Sequence, residues 1–295
     1  TDDTSQSILI LRSIIDVNSR PNSKSKSMIE VNNVKIDPCD FAQKLIDWIE
    51  NGHKEHKHYG ALDVGVSTLK IAKNPLFKVD PIEASKQEWI KSGQKMAANG
   101  SIMRIASSGC FAFWDEDVVI NVADIYSRTT HYDPRCVFCA LSSALLISRY
   151  IQWNSGLISQ QPDIKKALND AFENVEDIEK YKDEIMYYIQ CKNIEDLKLS
   201  EKNAIGYCLK AFGAGIWALK YCRSFEDGLV SVLREGGDAD TNGAVVGALL
   251  GAKFGFNSIP KELIKYMFVG QWLFREIEPF MKLMGIKMPP SPYTQ

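Results

Sequence analysis

Asp117-Val118-Val119-Ile120-Asn121-Val122-Ala123-Asp124-Ile125-Tyr126-Ser127-Arg128 is followed, beyond Asp133-Pro134, by Val137-Phe138-Cys139-Ala140-Leu141-Ser142-Ser143-Ala144-Leu145-Leu146-Ile147. Apolar residues recur here at intervals of three and four, which lines them along one face of a helix. The helical region runs from about Asp117 to Trp153 and breaks near Asp133-Pro134. Proline disfavours helical backbone at the residue before it and suits the first turn of a new helix. Working outward, the same period joins Ile8, Leu11, Ile14 and Ile15 in a first helix, and Phe41, Leu45, Trp48 and Ile49 in a second. Further helices are expected over about 162–190, 201–221 and 225–234, with two more beginning near Asp240 and Pro260. Strand signals are confined to Met28 to Ile36. Asn18 to Asn33, centred on Arg20-Pro21-Asn22-Ser23-Lys24-Ser25-Lys26, is polar and aperiodic and reads as a solvated loop. No internal repeat and no linker interrupts the pattern, so residues 1–295 read as one all-α domain.

Composition narrows the function classes. The 295 residues are 45% hydrophobic and 24% charged, enough to bury a core without disulfides or structural metal. Lys and Arg number 35 against 37 Asp and Glu, a net charge of −2, so no global basic field invites nucleic acid or an anionic membrane. Seven cysteines, odd in number and irregularly spaced, exclude a secreted disulfide scaffold. Cys136 and Cys139 form a C-x-x-C inside an apolar helical run and read as core rather than as a redox or zinc pair. No run of about 18 apolar residues is expected to span a membrane, and the start does not resemble a signal peptide. An intracellular, cytoplasmic setting is the expectation.

Two segments are chemically unusual. Thr1-Asp2-Asp3-Thr4 precedes the first amphipathic helix, and Gly236-Gly237-Asp238-Ala239-Asp240-Thr241-Asn242-Gly243 precedes the small-residue run Ala244 to Ala252. Capping explains one acid at each helix start, through the free N–H groups and the helix dipole. A pair in each segment exceeds that need, because adjacent carboxylates repel unless a cation lies between them. Carboxylate and hydroxyl oxygens are hard ligands, suited to Mg²⁺ or Mn²⁺ rather than zinc, and the four acids would balance two divalent ions. Metal site and cap both remain open on spacing alone.

Weaker signals follow. Ala98-Asn99-Gly100-Ser101-Ile102-Met103-Arg104 is a polar, Gly-containing turn entering an apolar segment. Gly60-Ala61-Leu62-Asp63-Val64-Gly65-Val66-Ser67-Thr68 has small residues whose backbone N–H groups could face an anion. Thr130-His131 ends a helical run, where a histidine serves as a cap more often than as a catalyst. His53, His56 and His58, interleaved with Lys54, Glu55 and Lys57, read as a solvated turn rather than a zinc site. Glu235 could back the second acidic segment or lie on the surface. Trp114 and Tyr132 are read as core aromatics in preference to adenine-stacking ones.

In order and spacing, Thr1-Asp2-Asp3-Thr4, Asn99-Gly100-Ser101-Ile102-Met103-Arg104, Thr130-His131 and Gly237-Asp238-Ala239-Asp240-Thr241-Asn242-Gly243 closely resemble the ADP-ribosylglycohydrolase family, of the dinitrogenase-reductase-activating glycohydrolase type. The resemblance extends to about Gly255. It implies a compact helical bundle around a dinuclear Mg²⁺ centre, with Mn²⁺ as a substitute. Thr1, Asp2 and Asp3 would provide one set of ligands, and Asp238, Asp240 and Thr241 the other. Asp2, Asp3 and Asp240 would be catalytic, managing the proton of a polarised water. Ser67, Thr68, Asn99, Gly100 and Ser101 would face the pyrophosphate or ribose, and His131 would donate to a phosphate oxygen. The implied reaction is hydrolysis of the C1″ bond joining ADP-ribose to arginine, serine or another ADP-ribose. The implied partner is ADP-ribose or an ADP-ribosylated protein. Family members also carry an upstream Gly-Asp segment, often with a functional glutamate; the sequence begins after that point, so either it is truncated or the protein lacks that element. The alternative is an inactive ADP-ribose-binding or crystallin-like structural member of the family.

Overall fold

The computed structural model describes residues 1–19, 25–56, 60, 61 and 63–293. The elements run α1 (Asp2–Ser19), β1 (Ile29–Val31), β2 (Val34–Ile36), α2 (Pro38–Asn51), α3 (Val66–Ala72), α4 (Pro81–Lys91), α5 (Ala106–Cys110), α6 (Glu116–Arg128) and α7 (Pro134–Asn154). They continue as α8 (Ile164–Glu173), α9 (Lys182–Ile189), α10 (Cys208–Tyr221), α11 (Phe225–Arg234), α12 (Ala239–Phe254), α13 (Lys261–Lys265) and α14 (Gly270–Leu283). The fold is all-α, as expected. The one described sheet is the antiparallel hairpin of β1 and β2, turned by Asn32 and Asn33 at φ 46° and 67°. Two successive left-handed residues match the twist of such a hairpin, and asparagine tolerates that backbone.

The break in the quoted stretch falls where proline placed it. Asp133 caps α7 through the Arg135 N–H, with Pro134 in the first turn. The gap between α6 and α7, Thr129 to Asp133, is itself buried and carries His131. α7 is long and apolar enough to cross a membrane by length and composition, which amends the expectation that no such run exists; 89% of its apolar window is nevertheless buried inside the fold. Around it, Phe138, Leu141 and Leu145 pack with Phe212 and Ile216 of α10 and Val246 and Leu249 of α12. A second apolar cluster joins Ile10 and Ile14 of α1 to Phe41 and Leu45 of α2 and Tyr126 of α6. The single turn Ile102–Arg104 packs on both α1 and α12 and brings the two ends of the chain together.

Several elements differ from expectation. α1 continues to Ser19, two residues into the expected loop, whose segment 20–24 lies outside the described residues. Residues 162–190 divide into α8 and α9, because Asp177 adopts a left-handed φ of 58° that no continuous helix can hold. Residues 201–207 are irregular, since Tyr207 forms a β-bridge with Ala98 and leaves α10 to begin at Cys208. The helix expected from Pro260 is two helices, α13 and α14. Trp114 is 51% exposed rather than core. His53 is buried and stacks near Trp48 and Trp272, so it is no solvated turn residue; His58 lies outside the described residues. Cys136 and Cys139 are buried free thiols, as the core reading required.

Candidate metal and ligand site

The second acidic segment enters α12 through Gly236 and Gly237, both left-handed at φ 68° and 72°. A β-carbon on Gly237 would collide with the carbonyl oxygen of Leu199. Glycine is therefore required there for both its backbone angle and its lack of a side chain. Asp238 occupies the capping position of α12, yet its carboxylate caps no helix N–H. It accepts a 2.7 Å hydrogen bond from Asn99 Nδ2 instead. Elsewhere in this chain Asp37, Asp80, Asp115, Asp133 and Asp163 stand at the same position and cap their helices. Burial raises the pKa of Asp238 above the ordinary carboxylate value; the Asn99 bond opposes this, and contact with Asp240 adds to it. Thr241 also favours the charged form of Asp238. Glu235 is half-buried on the approach to this segment.

The first acidic segment meets the second in space. Asp2 is pushed up to about 6, mainly by burial and then by the charges of Asp3, Asp63 and Asp240. Gln6 Nε2 donates to Asp2 Oδ2 at 3.1 Å. Asp3 is 2% exposed, and neither of its carboxylate oxygens has a hydrogen-bond partner among the described residues. A buried carboxylate without donors is costly unless a cation compensates it. The donor set is all oxygen, which fits a hard divalent ion. Among the described residues, no three His, Cys, Asp or Glu side chains stand close enough together to hold a metal ion as they are placed. Asp63 is the residue that sequence reasoning missed: it lay in a stretch valued only for small side chains, and the fold brings its charge within reach of Asp2. Thr1 is exposed at the start of α1, whereas Thr241 is buried with Oγ1 3.9 Å from Met103 Sδ.

The polar turn lies against these acids. The Asn99 N–H donates to Gly206 O at 2.9 Å and the Cys208 N–H to Ala97 O at 3.0 Å, which pins residues 97–99 to the start of α10. A β-carbon on Gly100 would stand 2.8 Å from His131 Cε1, 3.0 Å from Nε2 and 3.6 Å from Thr68 Oγ1, so Thr68, Gly100 and His131 share one corner. Ser101 is fully buried, with its hydroxyl unpartnered among the described residues. Ser67 lines a cavity of about 420 Å³ together with Ala98, Gly206, Tyr207 and Arg135. Tyr132 is half-buried, 5.6 Å from Trp89 ring to ring and with Arg128 over its face.

His131 is not a simple cap. Its ring is buried, with Nδ1 2.8 Å from Thr130 Oγ1. Burial, reinforced by the Arg104 charge, pushes its pKa down to about 3. A histidine held neutral in the fold loses nothing above its ordinary pKa. As pH falls from 6.5 toward 3, the unfolded chain takes up a proton that the fold refuses, so this group progressively disfavours folding across that window. The expected result is that the His131 resonances do not titrate between about pH 8 and 5 in a ¹⁵N NMR titration, where an unperturbed histidine would. A midpoint near 6.5 would contradict the buried environment.

A family model for ADP-ribosylglycohydrolase matches residues 1–286. An uncharacterized protein of Archaeoglobus fulgidus is 25% identical over 271 residues, 90% of this chain and 74% of its own length. The ADP-ribosylarginine hydrolase Tri1 of Serratia proteamaculans is 22% identical over 263 residues, 88% of this chain. The match spans only 61% of that hydrolase. A solved structure of an ADP-ribosylglycohydrolase-related protein complex superposes with a TM-score of 0.63 at 21% identity, covering 98% of this chain and 82% of the other. The acidic segments that meet at the start of α1 and α12 thus lie on a shared fold, and the chain belongs to the ADP-ribosylglycohydrolase family.

Proposed function

We propose that the protein is a divalent-metal-dependent hydrolase that cleaves the C1″ glycosidic bond of ADP-ribosylated substrates, with arginine as the favoured acceptor. The observation that carries this reading is a pair of acids without a capping role: Asp238 turns from its helix to Asn99, and buried Asp3 has no hydrogen-bond partner among the described residues. Thr1, Asp2, Asp3, Asp238, Asp240 and Thr241 would hold two Mg²⁺ ions, or Mn²⁺ in their place. Bound there, such ions act as Lewis acids that lower the pKa of water and orient hydroxyls.

The remaining work falls to the chain itself. Asn99 holds the Asp238 carboxylate in one orientation, and Gln6 does the same for Asp2. Asp2, Asp3 and Asp240 are the carboxylates assigned to the proton of the attacking water. Ser67, Thr68, Asn99, Gly100 and Ser101 form the ribose and pyrophosphate side, where His131 adds a neutral donor. Asp63 is exposed, with its charge within reach of Asp2, a placement suited to a cationic guanidinium acceptor. The arginine preference draws on that carboxylate and on the relative named as an ADP-ribosylarginine hydrolase.

Arginine-, serine- and poly-ADP-ribose substrates, incubated with Mg²⁺ or with chelator, separate the outcomes. ADP-ribose should be released from the arginine-linked substrate with Mg²⁺ and not with chelator. Release only from another linkage would overturn the acceptor assignment. No release from any substrate would overturn the enzyme reading.

A further inference from the structure

Arg104 and Thr130 belong to the sequence segments singled out above, yet neither has a part in the metal or ligand groups. Both are fully buried. Among the described residues, the Arg104 guanidinium has no carboxylate in its hydrogen-bond shell: Nη1 donates to Gln6 Oε1 at 2.7 Å, and Nη2 donates to Tyr126 O at 2.9 Å and Thr130 Oγ1 at 2.6 Å. Its face lies over the Phe41 ring, 4.9 Å from the centroid. Gln6 in turn donates to Asp2, so the guanidinium is oriented from the acidic side as well.

The proton count along this chain has one solution. Arginine offers only donors, so Thr130 Oγ1 must accept from Arg104. The hydroxyl proton of Thr130 then has one hydrogen-bonded neighbour among the described residues, His131 Nδ1 at 2.8 Å. Nδ1 is thereby the acceptor. A second proton on the ring would place another cation beside buried Arg104, which the low-dielectric surroundings oppose. The ring is therefore neutral and carries its hydrogen on Nε2. That atom is buried and has no partner among the described residues. It lies 3.0 Å from the point a Gly100 side chain would occupy, and Thr68 Oγ1 lies 3.6 Å from the same point.

We propose that Arg104 and Thr130 are positioning residues that lock His131 as the Nε2–H tautomer, presenting a fixed neutral donor to an acceptor oxygen of ADP-ribose at the Gly100 corner. The ligand assignment rests on the function proposed above; the tautomer rests on the hydrogen-bond chain alone. Thr130 acts through its hydroxyl and touches no ligand itself. Removing that hydroxyl frees Nδ1 to carry the hydrogen and turns Nε2 into an acceptor, which repels an anionic oxygen.

The test compares wild type, Thr130→Ser and Thr130→Val, uniformly labelled at histidine nitrogen, with His131→Gln used to assign the signal among the four histidines. Wild type and Thr130→Ser should show His131 protonated on Nε2. Thr130→Val keeps the side-chain shape and should lose that preference. Its affinity for ADP-ribose by calorimetry should fall about tenfold, the loss of roughly one hydrogen bond. Mg²⁺ binding should change little, the melting temperature of Thr130→Val should fall because buried Arg104 loses an acceptor, and Thr130→Ser should restore both affinity and stability. Wild-type His131 protonated on Nδ1, or a Thr130→Val protein with unchanged tautomer and affinity, would overturn the proposal. Failure of wild type to bind ADP-ribose, with the Nε2–H signal intact, would instead overturn the ligand reading and uphold the lock.

Discussion

Asp238→Asn and Asp240→Asn should each lower hydrolysis by about a hundredfold or more, the scale of losing a group that manages charge in the transition state. Asparagine preserves size and caps a helix about as well as aspartate. It removes one negative charge and a strong ligand for a hard cation. A purely capping role would therefore leave both variants near wild type. The structure already weakens that role, since the Asp238 side chain accepts from Asn99 rather than from its helix. Metal-free stability gives the contrary sign. Asp240 is among the charges that push Asp2 upward, so Asp240→Asn relieves repulsion and should stabilise the metal-free fold. Chemical denaturation with chelator present reads this directly, and a less stable variant with full activity would mean the acids have another job.

Gly237→Ala should cost about 2–4 kcal/mol, from a left-handed backbone and a backbone collision together. The new β-carbon meets the Leu199 carbonyl, which belongs to rigid main chain and cannot swing aside. Gly236→Ala provides the control. Its backbone is equally left-handed, but the nearest atom to a β-carbon is 4.0 Å away. That substitution should cost only about 1 kcal/mol, the strain of the angle alone. Equal losses for the two variants in urea melts would show that the collision is relieved by loop movement.

Much of this fold was legible in the sequence because its long helices carry apolar residues at a constant period and are bounded by strong signals. Asp133-Pro134 marks the start of α7 by capping and by proline geometry, whereas the hairpin turn at Asn32 and Asn33 lay inside the expected loop. The short helices α3 and α5, of 7 and 5 residues, hold too few periods to be read. The break at Asp177 escaped because aspartate, rather than glycine, takes the left-handed angle there. The acidic pairs stood out by their own crowding, a local property. Their partners did not: Asn99 reaches Asp238 across 139 positions, and Arg104 reaches Gln6 across 98. Asp63 likewise gains its meaning only from the fold that brings its charge within reach of Asp2.

The central claim is that carboxylates from α1 and α12 jointly bind divalent metal. Calorimetric titration of the wild-type chain with Mg²⁺, paired with thermal melts in Mg²⁺ and in EDTA, tests it most directly. A ligand at about a hundredfold over its dissociation constant stabilises the native state by about 2.7 kcal/mol. Heat of binding and a melting temperature raised by several degrees are the expected results, with loss of both in Asp3→Asn, whose carboxylate is buried without a hydrogen-bond partner among the described residues. No heat of binding and superimposable melts at every Mg²⁺ concentration would contradict it.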